Sequence, residues 1–489
     1  MENPKLKNLL NEWLEEATLS EMQEKLESGE ITSKELVLMY LHRISSFDKE
    51  LRSVLEVNPD ALHIAAALDA ERKESGPRGR LHGIPILIKD NIDTHDKMHT
   101  SAGSLALKDS IAPKDSWVAE QLRKAGAIIL GKTNMTEWAN FMAIGMKSGY
   151  SSRGGQVLNP YGPGKFDVGG SSSGSGAAVA ANFAAAAVGT ETSGSILNPS
   201  CQNSLVGIKP TVGLISRRGI IPIAHTQDTA GPMARTVEDA AILLTALTGK
   251  DEEDAITQTN PLFNIDFTEY LLKDGLKGKR IGIALQGFIE NLSEEKQRAA
   301  ALAIEVLKST GAEVIENIEI PSANVDWKYD VLTYEFKPDL NVYLSSLHPS
   351  IKVRSLKELI EFNNQDEEKM LKYGQEVLIE SEKTSGSLTE AEYVQVLEFD
   401  LYHSTRQGID FALETYNLDA IVFPHEEGSH ISAKAGYPSI AVPAGYTSDG
   451  EPVGITFAGT AYSEPILIQA AYAFEQMTKF RKPPVLEKE

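Results

Sequence analysis

Apolar residues recur every three or four positions along the first part of the chain, which predicts amphipathic helices. Two helix starts have the spacing of a capping box, in which a threonine and a glutamate three residues later satisfy free backbone N–H groups. The pairs are Thr18 with Glu21 and Thr32 with Glu35. Another amphipathic helix is predicted over 58–72. We therefore expect a helical N-terminal segment at about residues 1–75.

The pattern then changes to short apolar runs that alternate with helical stretches. Residues 84–88 are all apolar, and the run ends at Lys89 and Asp90. Such runs are typical of strands buried on both faces, as in a parallel sheet. The same alternation predicts a helix over 116–124, a strand over 127–130, a Gly/Ser-rich loop over 145–176 and an alanine helix over 177–187.

The second half of the chain returns to strands after a long helical stretch. Strands are predicted at 279–284, 313–315, 420–424, 439–443 and 453–457, whereas 325–415 is mainly helical and charged. The predicted fold class is α/β, with a large mixed, mostly parallel β-sheet covered by helices on both faces. We expect one domain over 1–489, with a core at about 76–245, a variable helical region at about 250–415 and a part at about 416–489 that completes the sheet.

Composition and charge narrow the classes of partner. The net charge is −22, and so acidic a chain repels nucleic acid and anionic membranes, neither of which is an expected partner. The one cysteine, Cys201, excludes intramolecular disulfides and multi-thiolate metal sites. The first 16 residues contain no apolar leader, and no apolar run reaches membrane-spanning length, so a soluble, cytoplasmic protein is expected.

Two segments rich in small residues could carry chemistry. The Gly/Ser run at 169–176 leads into a helix, which brings free N–H groups and small hydroxyls together. It lacks the lysine of a nucleotide-binding loop. In the segment 189–196, small residues surround Ser195 and would let a substrate carbonyl reach backbone N–H groups, as an oxyanion hole requires. Taken alone, the first could be a linker and the second a simple turn.

Lys89 is the third candidate because it ends a buried strand. Burial disfavours the ammonium ion and can make lysine a usable base near neutral pH. Asp90 could cancel this effect by pairing with Lys89, but successive strand side chains point to opposite faces. The sequence therefore favours a buried, unneutralised Lys89.

Histidine, the usual base of serine hydrolases, has no recognisable catalytic context among the ten in the chain. His82 and His225 remain reserve candidates because they lie near the Lys89 strand and the turn at 227–228. His95 and His99 have a zinc-like spacing but no intervening glutamate or helical context, so no metal site is predicted.

Five ordered motifs together resemble the amidase signature family. They are Gly-Ile-Pro-Ile-Leu-Ile-Lys-Asp-Asn at 83–91, Gly-Gly-Ser-Ser-Ser-Gly-Ser at 169–175, Gly-Thr-Glu-Thr-Ser-Gly-Ser at 189–195, Gln-Asp-Thr-Ala-Gly-Pro-Met-Ala-Arg at 227–235 and Gly-Tyr-Pro-Ser-Ile-Ala-Val-Pro-Ala-Gly at 436–445. The spacing between Ser171 and Ser195 also matches that family. The resemblance covers nearly the whole chain.

The resemblance implies a serine amidohydrolase that forms an acyl-enzyme through a Ser–cis-Ser–Lys triad. Ser195 would be the nucleophile, Ser171 the bridging serine after a cis peptide bond to Gly170, and Lys89 the neutral base. No metal or organic cofactor would be required. The resemblance also implies an oxyanion hole formed by the backbone N–H groups of Thr192, Ser193, Gly194 and Ser195. It further implies that the Ser172 hydroxyl lies close to the triad and supports it.

Departures from the family pattern indicate the branch. Leu197 stands where many members have arginine, and the segment 171–196 is more similar to the peptide amidase branch, which removes the C-terminal amide nitrogen from peptides. A small-molecule or peptide amide is the expected substrate, and no partner subunit is expected. The alternatives are the glutamine-hydrolysing A subunit of a tRNA-dependent amidotransferase, an amidase for small or aryl amides, and a binding-only relative.

Substrate specificity is expected to reside in 325–415 and in the loop around Tyr437. Tyr334, Phe336 and Tyr343 could line an acyl pocket, but aromatic residues at helical spacing more often belong to a core. The sequence leaves both interpretations open.

Overall fold

The structure, a computed structural model, describes residues 2–486. Residue 1 and residues 487–489, which the predicted domain included, lie outside that range. Within it, eleven strands form one large sheet and two more form a separate hairpin. The strands are β1 (Val54–Val57), β2 (Pro85–Lys89), β3 (Ile128–Thr133), β4 (Tyr150–Ser151), β5 (Gly155–Gln156), β6 (Ala186–Glu191), β7 (Val206–Lys209), β8 (Thr229–Ala234), β9 (Arg280–Ile283), β10 (Glu313–Ile315), β11 (Ala420–Pro424), β12 (Ser439–Tyr446) and β13 (Pro452–Ala458).

The strand order in the large sheet is β1-β3-β2-β6-β8-β7-β12-β13-β11-β9-β10. Parallel pairs join β2 to β3 and β6 near one end, and β9 to β10 and β11 at the other. The centre, from β6 to β11, pairs antiparallel, as does β1 with β3. The predicted large mixed sheet is confirmed, and antiparallel pairing takes a larger share of it than the strand–helix alternation suggested.

Helices pack against the strands of this sheet. Both predicted capping boxes are present, at Thr18 and Thr32. The helices are α1 (Pro4–Glu12), α2 (Leu19–Glu27), α3 (Ser33–Leu51), α4 (Ala61–Ser75), α5 (Trp117–Lys124), α6 (Ser173–Ala180), α7 (Leu197–Gln202), α8 (Val237–Leu247), α9 (Glu294–Lys308), α10 (Asp330–Ser346), α11 (Leu356–Asn363), α12 (Glu367–Met370), α13 (Glu376–Lys383), α14 (Ala391–Ser404), α15 (Asp410–Tyr416), α16 (Ser429–Ala435) and α17 (Glu464–Thr478).

The alanine-rich stretch differs from its prediction. A single helix over 177–187 was expected, but α6 ends at Ala180, Asn182 has a left-handed φ of 58°, and β6 begins at Ala186. Residues 177–188 are all buried, in a helix and a strand that both lie inside the core. The small side chains allow that close packing, which overrides helix propensity here. Ser195 therefore follows a strand rather than a helix.

Helices α10, α11, α13 and α14 share a second hydrophobic cluster, distinct from the one that covers the sheet. That cluster also includes Phe141 and Met142 from the loop after β3, so these helices pack on a loop that extends from the large sheet. No helix within residues 2–486 combines the length and the apolar character needed to cross a membrane.

Candidate active site

Lys89 is the last residue of β2, and its side chain is fully buried. Its Nζ donates to Ser171 Oγ at 2.8 Å, to Thr190 Oγ1 at 2.9 Å and to the Thr190 carbonyl at 3.2 Å. Thr190 lies on β6, which pairs in parallel with β2. The sheet therefore supplies the lysine and two of its three acceptors, and a loop supplies Ser171.

Burial is the main influence on the Lys89 ammonium. It lowers the pKa of Lys89 to about 7, against the raising effect of Glu191 and Asp228. Asp90 points away, as the strand geometry predicted: its carboxylate accepts from Ser101 Oγ and the Gly103 N–H and pairs with Arg153. A neutral amine is therefore within reach at neutral pH, in hydrogen-bond contact with Ser171.

The Gly/Ser loop before α6 brings the serines into place. The peptide bond between Gly170 and Ser171 is cis, as the resemblance implied. The Ser172 N–H donates to the Ser195 carbonyl at 3.1 Å, and Ser172 Oγ donates to the Thr190 carbonyl at 3.1 Å. The loop thus holds Ser171 on the lysine while its next residue holds the backbone of Ser195.

The loop from Glu191 to Leu197 is organised by a buried carboxylate. Glu191 accepts from the N–H groups of Gly194 at 2.8 Å, Ile196 at 2.7 Å and Leu197 at 3.0 Å. The Gly194 N–H, which the resemblance assigned to an oxyanion hole, is therefore directed at Glu191. The part played by Glu191 was not predicted, although an acidic residue inside a run of small residues is a visible signal in the sequence.

Thr192, in the loop that carries Ser195, is bound to the turn before β8 through both its side chain and its backbone. Thr192 Oγ1 donates to Asp228, and Gln227 Nε2 donates to the Thr192 carbonyl at 3.1 Å. Asp228 also accepts from the Ile223 and Ala224 N–H groups at 2.8 and 3.0 Å. The motif at 227–235 thereby helps to fix the loop that carries Ser195.

A cavity of about 460 Å³ opens beside this loop. Gly170, Thr192, Ser193 and Ser195 line its floor. Its walls are largely apolar and come from several elements, including Phe141, Ile223, Tyr329, Leu332 and Val377. A neighbouring cavity of about 370 Å³ shares Ser193, Tyr329 and Leu332 with it and contains Glu426. The predicted nucleophile therefore lies at a cavity of the size usual for small-molecule sites.

Tyr334, Phe336 and Tyr343, considered from sequence as possible pocket walls, do not line the cavity beside Ser195 and pack in or against the second hydrophobic cluster. Phe336 is fully buried behind Phe141, with 5.1 Å between ring centroids. Tyr343 donates to Asp93 at 2.9 Å. Tyr334 packs against Tyr393, and Tyr437 donates to Asp410 at 2.8 Å. The wall residues of α10 come from its start, at Leu332 and Thr333, because only the first turn faces the cavity.

The histidines held in reserve have structural partners. His82 is buried, and its Nε2 contacts the Leu68 carbonyl at 2.9 Å. His225 contacts Asp339 at 2.9 Å, which raises the pKa of the imidazole. His95 and His99 do not converge: their Nδ1 atoms contact the Ala112 carbonyl and Glu56, respectively.

Comparison with known proteins places these features in a wider group. A family model described as Amidase matches residues 35–468. The peptide amidase of Stenotrophomonas maltophilia, solved by X-ray crystallography, is 44% identical, with a TM-score of 0.92 over 97% of this chain and 99% of that one. An amidase family protein of Bacillus anthracis is also 44% identical, with a TM-score of 0.93 over 99% and 94% of the two chains. The A subunit of glutamyl-tRNA(Gln) amidotransferase from Thermosynechococcus vestitus is 32% identical over 494 residues, which cover 95% of this chain and 99% of that protein.

The place of Glu191 predicts that Glu191→Gln slows the reaction of Ser195. The side-chain amide of the new glutamine would then direct an N–H group at the N–H donors of the loop. A buried donor left without an acceptor costs about 1–3 kcal/mol of free energy. The rate at which an organofluorophosphonate labels Ser195 measures this effect. Glu464→Gln is the matched control. Glu464 is as fully buried as Glu191, and both carboxylates raise the pKa of Lys209. Glu464 differs in that it accepts from the Thr211 N–H rather than from the loop of Ser195. Equal labelling rates in the two variants would contradict the assigned part of Glu191.

Proposed function

This chain belongs to the amidase family and hydrolyses amide C–N bonds, and we propose that it does so through Ser195, Ser171 and Lys89 on peptides that end in a carboxamide. The observation that carries the proposal is the 2.8 Å contact between the buried Lys89 Nζ and Ser171 Oγ, beside the cavity that contains Ser195. A buried amine with a pKa near 7 is partly neutral at neutral pH, so Lys89 can accept a proton from its partner Ser171.

In the first half-reaction, Ser195 Oγ attacks the carboxamide carbon and passes its proton to Ser171, whose own proton moves to Lys89 Nζ. The carbonyl oxygen becomes an oxyanion, and backbone N–H groups stabilise it. The resemblance assigned Thr192, Ser193, Gly194 and Ser195 to this task. Because the Gly194 N–H is directed at Glu191, we assign the main contribution to the other three.

The intermediate then collapses with cleavage of the C–N bond. The leaving nitrogen takes a proton from Lys89 through Ser171 and departs as ammonia, which leaves the acyl group on Ser195. Water attacks this ester while the same two residues accept its proton. Carboxylic acid is released and the Ser195 hydroxyl is restored. Every step uses side chains of this chain alone.

The peptide substrate is supported by the similarity to the peptide amidase of Stenotrophomonas maltophilia across both chains. The cavity also fits this class, since its apolar walls and volume of about 460 Å³ would accept amino acid residues on the acyl side. Two alternatives remain as outcomes for the test. One is glutamine hydrolysis within an amidotransferase, which the similarity to the Thermosynechococcus vestitus protein supports. The other is hydrolysis of small or aryl amides.

The triad assignment predicts that Ser195→Ala and Lys89→Ala each lower kcat/KM by at least about 10³-fold without unfolding the protein. Lys132→Ala is the matched control for loss of a buried lysine. Lys132 is fully buried but donates to the Ile92 carbonyl and Thr100. Circular dichroism and steady-state kinetics would be measured on all three. Substantial turnover by folded Ser195→Ala would disprove the mechanism.

The low pKa of Lys89 predicts the pH profile. Below pH about 7 the amine is protonated and cannot accept the Ser171 proton, so kcat/KM should rise with pH through about 7. Thr190→Val removes an acceptor that favours the ammonium form, so the pKa should fall and the rising limb should move to lower pH, by up to about one unit. A limb that stays in place or moves to higher pH would show that it does not report Lys89.

The substrate assignment predicts ammonia release from a short peptide C-terminal amide by the single purified chain. Free glutamine and the same peptide with a C-terminal carboxylate are the comparison substrates. Release from the peptide amide without any partner supports the proposal. Hydrolysis of glutamine alone, and only with a second protein or tRNA present, would replace it with the amidotransferase alternative. No release from either would direct the search to small and aryl amides.

A further inference from the structure

Asn198 connects the loop before Ser171 to the C-terminal part of the chain. It lies in the first turn of α7, and its Oδ1 accepts from the Gly170 N–H at 2.8 Å. Its Nδ2 donates to Glu426 Oε1 at 2.5 Å, and its backbone N–H donates to the Gly194 carbonyl at 2.8 Å. The side chain of Asn198 thus contacts the loop of Ser171, and its backbone holds the loop of Ser195.

Glu426 directly follows His425, whose ring and backbone are fixed by β13. The His425 Nδ1 accepts from the Gly454 N–H at 3.1 Å, so the neutral imidazole carries its proton on Nε2. That Nε2 lies 3.1 Å from Glu426 Oε2, but neither atom makes a hydrogen bond within the described residues. His425 has a left-handed φ of 53°, and further bonds fix its backbone: its N–H donates to the Gly454 carbonyl at 2.9 Å, and its carbonyl accepts from Thr456 Oγ1 at 2.5 Å. An unusual backbone conformation so firmly held is typical of functional regions.

Cys201, His425 and Glu426 lie close enough together to suggest a metal site. The tautomer of His425 argues against it, because Nδ1 is used as an acceptor and the proton on Nε2 faces the carboxylate. Burial also raises the pKa of the Cys201 thiol, which disfavours the thiolate a metal would need. In this region β13 therefore fixes the chain at His425, and the next residue, Glu426, accepts a hydrogen bond from Asn198.

We infer that Asn198, oriented by Glu426, is a positioning residue that holds the Gly170 backbone so that Ser171 Oγ meets Lys89 Nζ. This inference rests on the proposed function of Ser171. The loop passes close to α7 at this point: a Cβ at Gly169 would lie 2.8 Å from Asn198 Oδ1 and 2.7 Å from Pro199 Cα. Other bonds hold the neighbours of Gly170, since Asp167 accepts from the Gly169 N–H at 2.6 Å and the Thr136 N–H donates to the Ser171 carbonyl at 3.1 Å. The acceptor for the Gly170 N–H itself is Asn198.

Exchange of the two polar partners tests the inference. Asn198→Asp keeps an acceptor for the Gly170 N–H but sets a second carboxylate against Glu426. We expect kcat to fall about 10- to 100-fold, as for a small displacement of a reacting group, with KM little changed. In the double variant N198D/E426Q, the new carboxylate accepts from both Gly170 and the new amide, and the net charge equals that of the wild type. We expect kcat to return to within about threefold of the wild type, since the same contacts are rebuilt.

Asn203→Ala is the matched control. Asn203 follows α7 and also holds the Gly-rich loop, since its Nδ2 donates to the Val168 carbonyl at 2.8 Å, but it does not contact Gly170. We expect it to lower the temperature of unfolding while kcat stays near the wild-type value. A kcat loss in N203A equal to that in N198D would overturn the inference, because general loosening of the loop would then explain both.

The rate of Ser195 labelling by an organofluorophosphonate is measured on the same variants, so that the two hypotheses can fail separately. If the wild type is labelled but releases no ammonia from peptide amides, the proposed substrate is wrong, and the labelling rates still decide the part of Asn198. Normal labelling and kcat in N198D, or no recovery in a folded N198D/E426Q, would overturn the positioning role. Recovery of both rates in the double variant would support it.

Discussion

The burial of one amine at the end of a parallel strand sets the conditions for the rest of the active site. The three hydrogen-bond acceptors of Lys89 Nζ are two hydroxyls and a carbonyl rather than a carboxylate. An ammonium ion in such surroundings is costly, so its pKa falls to about 7. The neighbouring strands must therefore exclude water and supply neutral acceptors. They do so with β6, whose Thr190 lies beside the lysine, and with small residues that let the Ser171 loop approach.

The loops on this side of the sheet are held mainly by side chains that accept hydrogen bonds from their backbones. Glu191 binds three N–H groups of the Ser195 loop, Asp228 binds the turn before β8, and Asn198 binds the Gly170 N–H. Backbone groups buried away from water require such partners. The consequence is a set of loops with fixed positions, in which Ser171 and Ser195 keep their geometry relative to Lys89.

The helical region over 325–415 contributes walls to the cavity, including the carboxylates of Glu376 and Glu380. Its aromatic residues, such as Phe336, form a second core, and only its edges reach the cavity, at Tyr329 and Leu332 on one side and Val377 on the other. Under the proposed function, this division lets the wall residues change substrate preference while Lys89 stays on the sheet and the two serines stay on their loops.

The sequence by itself determined the α/β class, most strands, both capping boxes and the residues that could carry chemistry, because these follow from local periodicity and from short motifs. The amidase family and its peptide amidase branch were also readable from those motifs. Only the tertiary structure decided that residues 186–191 form a strand, since packing of alanines against β2 and β8 outweighs their helix propensity. It also decided which loops meet at Lys89, which residues line the cavity, and that Glu191 and Asn198 support the serines. Those contacts join positions distant in the chain, such as Asn198 and Glu426, and no local pattern encodes them.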